Sequence, residues 1–147
     1  MLSKLSMLSG KLEAISGHFK DLAILLARLT LAYGFFGPAM NKWNNMQATI
    51  LWFDTMLGIP LPTLNAYLAA TTELLGVGLL ALGFLTRFIS IPLMIVMLVA
   101  ITTVHLGNGF ESSGNGFEIP LYYLLFLLIF LTHGAGRYSL DRFLKIK

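Results

Sequence analysis

A run of apolar and glycine residues from Leu74 to Leu85 begins directly after one carboxylate, Glu73, and is followed by Thr86 and Arg87. Between Glu73 and Thr86 there is no polar side chain. Such a stretch can be a membrane-crossing helix, and a charge at membrane depth costs at least ~2.5–3.5 kcal/mol. Glu73 therefore needs a partner, a proton or a water-filled cavity. What that carboxylate does decides most of what can be said about function.

The rest of the chain supplies little that could face water. Of 147 residues, 56% are hydrophobic and 12% are charged, about half the charged share of a soluble domain. The composition defines an integral membrane protein of one small helical domain. A formal charge of +3 does not indicate nucleic acid, because the basic residues sit at the ends of apolar segments, where orientation signals belong. Cysteine is absent, which excludes disulfides, Cys-ligated zinc, iron–sulfur centres and a dithiol relay.

The spacing predicts an all-α protein: a four-helix transmembrane bundle preceded by an amphipathic interfacial helix. In residues 1–20, Leu5, Leu8, Leu12, Ile15 and Phe19 recur at intervals of three and four, with Lys4, Lys11, Glu13 and Lys20 between them. That pattern suits a helix lying in the membrane interface. The membrane domain covers 21–142, leaving 143–147 as a tail. Its first span is 21–42, with a kink expected at Pro38 because proline removes the partner of the Gly34 carbonyl. Residues 43–61 are too interrupted to cross and, with Trp43, Trp52 and Phe53, read as an interfacial segment. The second span runs from about Pro62, suited to a first helical turn, to Thr86. A tight turn at Arg87 leads to a third span, Ser90 to Leu106, with Pro92 in its first turn. A fourth covers Ile119 to His133, after which residues 134–142 leave the membrane.

Four crossings put both termini on one side. Lys4, Lys11, Lys20, Arg87, Arg137, Arg142, Lys145 and Lys147 lie there and Lys42 alone lies opposite, so both termini are expected in the cytoplasm. The loop before the fourth span repeats itself: Gly107-Asn108-Gly109-Phe110-Glu111 recurs as Gly114-Asn115-Gly116-Phe117-Glu118. It reads either as a flexible loop with a repeated turn or as a folded lid over the outer mouth.

Helical rise places Arg28 ~10 Å above the inner edge, Glu73 ~20 Å, His105 ~25 Å, and Lys42 and Glu118 ~30 Å. Glu73 could pair with Arg28 if the arginine reaches outward, or with His105, closer in depth; Arg28 could instead snorkel inward. Glu73 could also be protonated and merely tie helices together, an interaction averaging ~0.6 kcal/mol. Gly76 and Gly83 share its helical face, with Arg87 one turn on, so that face looks into the bundle. The candidate catalytic residues are Glu73, His105 and Arg28; Lys42, Glu118 and Tyr122 are candidate substrate-binding residues. His105 and His133 lie ~20 Å apart in depth, which disfavours a bis-histidine haem; a metal held by His105 with Glu111 or Glu118 stays open as an alternative, without a fixed ligand spacing behind it.

Several motifs together resemble the DoxX family of small bacterial membrane proteins. They are Arg28 with Tyr33-Gly34-Phe35-Phe36-Gly37 and Asn41-Lys42, then Gly58-Ile59-Pro60-Leu61-Pro62 and Glu73-Leu74-Leu75-Gly76. Leu82-Gly83-Phe84-Leu85-Thr86-Arg87, Val104-His105 and the ending Gly134 to Asp141 complete the match. The resemblance implies a four-helix protein of the bacterial inner membrane, commonly linked to quinone-dependent redox work, with some relatives beside copper-binding peptide systems. No electron carrier is encoded here, so a bound quinone, a metal or a partner subunit must supply one. The first expectation is therefore a subunit of a quinone-linked redox system. The alternative is a non-enzymatic small-solute transporter or an assembly partner for a secreted or metal-handling system; an oligomer is compatible with either.

Overall fold

The computed structural model describes residues 2–146, and among them the side chains of residues 2–8, 11–15 and 18 fall outside the description. The described residues form α-helices and shorter helical turns, with no strand. They are α1 (Leu2–Asn44), α2 (Met46–Thr55), α3 (Pro62–Leu82), α4 (Thr86–Ala100), α5 (Glu118–His133) and α6 (Leu140–Phe143). A π-helical turn, Ile101–His105, and a 3-10 turn, Leu106–Asn108, extend α4. Among the described residues, three stretches are long and apolar enough to cross a membrane: Phe19–Asn44, Pro62–Leu82 and Thr86–Asn108. Helix α5 is apolar but shorter, at 16 residues.

No break separates the expected interfacial segment from the first span. Helix α1 runs through both, and Pro38 lies inside it. The amphipathic pattern of Leu5, Leu8, Leu12 and Ile15 falls on side chains outside the description. Downstream, Pro62 does begin α3, where a missing N–H is harmless. Proline 92 does not begin its helix. Helix α4 starts at Thr86, so Pro92 is interior and removes the intrahelical partner of the Phe88 carbonyl.

Helix α1 packs along α3 and α4 along α5, with α3 joining the two pairs and α2 lying against α3. The core is built where they meet, from Leu31, Phe35, Leu80, Leu93, Leu127 and Phe130. Gly76 belongs to it: an added Cβ would stand 2.8 Å from Leu93 Cδ1. On the outside, Leu26, Phe36, Leu75, Phe88, Ile95 and Leu125 are exposed. So much exposed apolar surface fits a hydrocarbon surrounding.

The turn between α3 and α4 comes earlier than Arg87, which lies in the first turn of α4. Gly83 is not part of the α3 face. It ends the helix with φ +66°, its N–H donating to Leu80 O at 3.2 Å and that of Phe84 to Leu79 O at 2.9 Å. This is the paired closure that a left-handed glycine permits. Leu85 precedes α4 and carries no side-chain acceptor, so the cap is supplied from a distance. Asp141 accepts the Leu85 N–H at 2.7 Å and the Thr86 N–H at 3.1 Å. The segment after α5 thus folds back onto the start of α4 and does not simply depart.

Candidate functional site

Glu73 lies on the stripe Ala66, Ala70, Glu73, Gly76 and Leu80, the buried face of α3. It is 3% exposed. Its partner is Lys42, in the last turn of α1: Nζ stands 3.0 Å from Oε1 and 2.8 Å from Oε2. The structure pairs Glu73 with neither Arg28 nor His105. The lysine is also well placed by the helix itself, since the C-terminal end of α1 favours a cation.

Arg28 belongs to the other end of the molecule. It is fully buried, with Nη1 donating to Leu80 O at 2.9 Å and Nη2 to Tyr138 O at 2.5 Å. It therefore ties α1 to the end of α3 and to the segment after α5. Gly83 makes room for it, because an added Cβ would stand 2.0 Å from Nη1.

Beside the Lys42–Glu73 pair is a cavity of about 660 Å³, within the ~300–1,000 Å³ range of small-molecule sites. Lys42, Glu73 and His105 line it, as do Phe35, Trp52 and Tyr123. Its wall also includes Ile95 and Val99, exposed residues of α4, so it reaches the outer, apolar side of that helix. Arg28, Glu118 and Tyr122 are not in the wall. Tyr123 takes the place expected for Tyr122, one residue and about 100° around the helix. Its ring meets Phe35 edge-on with centroids 5.2 Å apart. Its hydroxyl occupies the space that a side chain at Gly34 would fill, an added Cβ there lying 1.8 Å from the oxygen.

The repeated loop is folded and contributes to the same wall. Its two halves pair: Phe117 N–H donates to Gly109 O at 3.1 Å and Glu118 N–H to Phe110 O at 3.0 Å. The phenylalanine rings meet edge-on at 5.5 Å. Ser112, Asn115 and Gly116 line the cavity. His105, the last residue of the π-helical turn, has Nδ1 2.8 Å from Asn115 O. A carbonyl only accepts, so Nδ1 carries the proton and Nε2 is the acceptor nitrogen of the neutral ring. No group of three or more His, Asp and Glu side chains that could hold a metal occurs among the described residues.

Glu118 closes the loop instead of binding in the cavity. At the head of α5, it accepts the Ser112 N–H at 3.0 Å and the Tyr122 hydroxyl at 3.1 Å. Ser112, through its amide first and its side chain next, and then Tyr122 hold its carboxyl below the usual carboxylate range. A depressed folded value means that the contact is fully present above the unfolded pKa and lost as pH falls through the folded one. Hydrogen exchange at the Ser112 amide is accordingly expected to stay protected through the ordinary carboxylate range and to quicken only below it. Glu118→Gln should abolish that pH dependence; an unchanged profile would remove Glu118 from the loop.

Fold and site define a small helical membrane protein with a ligand-sized cavity beside a buried ion pair. The DoxX family model matches residues 23–106, and the chain belongs to the DoxX family. It is 35% identical to an uncharacterised protein of Haemophilus influenzae, over 89% of each chain. It is 36% identical to an uncharacterised membrane protein of Mycobacterium tuberculosis, over 82% of this chain and 80% of that one. A Bacillus subtilis protein named "Putative oxidoreductase CatD" is 32% identical over 84% of this chain and 87% of its own. No solved structure matches the chain significantly.

Proposed function

We propose that this protein is the membrane subunit of a quinone-linked redox system, and that its cavity receives the head group of a lipid-soluble quinone. In this reading α5 is a fourth crossing of the bacterial inner membrane and both termini are cytoplasmic, as the distribution of lysine and arginine suggests. The redox part draws support from the name of the Bacillus subtilis relative. The observation that carries the reading is the cavity itself: large, mostly apolar, and provided with one ion pair.

The residues fit a quinone. An ammonium has three N–H donors, and Lys42 uses two on Glu73, leaving one for a carbonyl-type acceptor. Tyr123 also lines the wall, with its ring against Phe35. When bound, a quinone brings two-electron chemistry that no side chain of this protein offers. Lys42 then holds negative charge that develops on a ligand oxygen, and Glu73 keeps the lysine in place. Glu73 and His105 are the groups able to hold or pass a proton at the cavity wall. A partner protein delivers or removes the electrons.

Glu73→Gln keeps the shape of the side chain and removes its charge and basicity. Quinone reduction by membranes carrying this variant is expected to fall on the order of a hundredfold, with the protein still present at normal abundance. Unchanged reduction sinks the proposal. Solute flux into proteoliposomes lacking a partner and any redox change would instead make the cavity a transport site.

A further inference from the structure

At the end of the helices opposite the cavity lies a second pocket, of about 400 Å³. Arg87, Arg137 and Arg142 line it, together with His133 at the end of α5. All three arginines are exposed. None has a carboxylate partner among the described residues, where the ion pair is Lys42–Glu73. Arg87 donates through Nη2 to Thr132 O at 3.3 Å. Arg137 and Arg142 donate through their backbone N–H groups, to Asp21 and to Ser139, and their guanidiniums keep their donors.

The two carboxylates in the wall accept backbone N–H groups and pair with none of the three guanidiniums. Asp21 Oδ1 accepts the Arg137 N–H at 2.9 Å, and both oxygens of Asp141 are on the first amides of α4. The helix N-terminus is thereby already capped, so the guanidiniums supply the attraction for an anion. Next to them, Phe88 lines the pocket and is 64% exposed. A guanidinium fork matches the oxygens of a phosphate, and basic pockets between membrane helices suit anionic head groups.

We propose that this pocket binds a phosphate-bearing anion through Arg137 and Arg142, and that the anion is the head group of an acidic membrane phospholipid whose chains lie along Phe88. The inference concerns a different site from the cavity and stands independently of the redox reading.

The test uses the purified full chain in mixed micelles of phosphatidylglycerol and phosphatidylcholine, with retained lipid counted by native mass spectrometry. Phosphatidylglycerol is expected to be retained in preference, and Arg137→Gln with Arg142→Gln should reduce that preference roughly ten- to thirty-fold. Lys20→Gln with Lys145→Gln removes the same charge outside the pocket wall and should leave the preference in place. Equal losses in the two double variants, or no preference in the parent, overturn the proposal. Competition on the unmodified protein provides a measurement that no folding defect can confuse: soluble glycerol phosphate must displace phosphatidylglycerol if the pocket reads phosphate. If inorganic phosphate raises the melting temperature through Arg137 and Arg142 while no lipid is retained, the choice of lipid is overturned and a soluble phosphate takes its place.

Discussion

Lys42→Met is expected to destabilise the protein by ~3–5 kcal/mol, the cost of removing one partner from a buried ion pair. Glu73 sits 3% exposed on the packed face of α3, and Lys42 satisfies both of its oxygens. Without the ammonium, the carboxylate must take up a proton, draw in water or force the helices apart. The reverse substitution, Glu73→Gln, should cost less, because the Lys42 side chain retains 18% exposure and can turn its charge toward water. Combining Lys42→Met with Glu73→Gln removes both charges and should recover most of the loss. Denaturation of the purified variants in one detergent measures all three. A Lys42→Met protein as stable as its parent would mean that the pair contributes nothing to folding.

The second large effect is expected at Gly83. Alanine there must adopt φ +66°, costing ~1–2 kcal/mol. Its Cβ would stand 2.0 Å from Arg28 Nη1 and 2.6 Å from Ser139 Cβ. The arginine cannot simply swing aside, since two of its nitrogens are bound to carbonyls of α3 and of the segment after α5. Crowding of this kind adds ~1–3 kcal/mol, so Gly83→Ala should lower stability by about 2–5 kcal/mol and expose the C-terminal segment to protease. Gly78→Ala makes the contrast. That glycine is inside α3 with nothing within 4 Å of an added Cβ, and alanine should be neutral or stabilising by ~0.5–1 kcal/mol. Equal behaviour of the two variants would refute the clamp.

Hydrophobic runs and proline positions made the long apolar helices and the start of α3 legible, and intramembrane charge singled out Glu73. Its partner was misread because depth from helical rise treats helices as upright and side chains as points. Lys42 looked ~10 Å too far out, yet its Nζ meets both carboxylate oxygens. Arg28 was harder still. Its acceptors are main-chain carbonyls, one of them 110 residues away, and a carbonyl leaves no mark in a sequence. A signal for the α3–α4 boundary was available: glycine after an apolar helical run is the usual left-handed stop, which Gly83 obeys. The start of α4 carried none, because its capping carboxylate comes from Asp141.

The fit between Gly34 and Tyr123 has a consequence for how such a chain can diverge. The two positions lie on helices that otherwise touch sparingly, yet the hydroxyl of one occupies the missing side chain of the other. Any side chain added at 34 must therefore displace the end of Tyr123, and a shorter residue at 123 would leave room for it. Because both residues line the cavity, exchanging their bulk would reshape the chamber on one side without replacing either member of the Lys42–Glu73 pair.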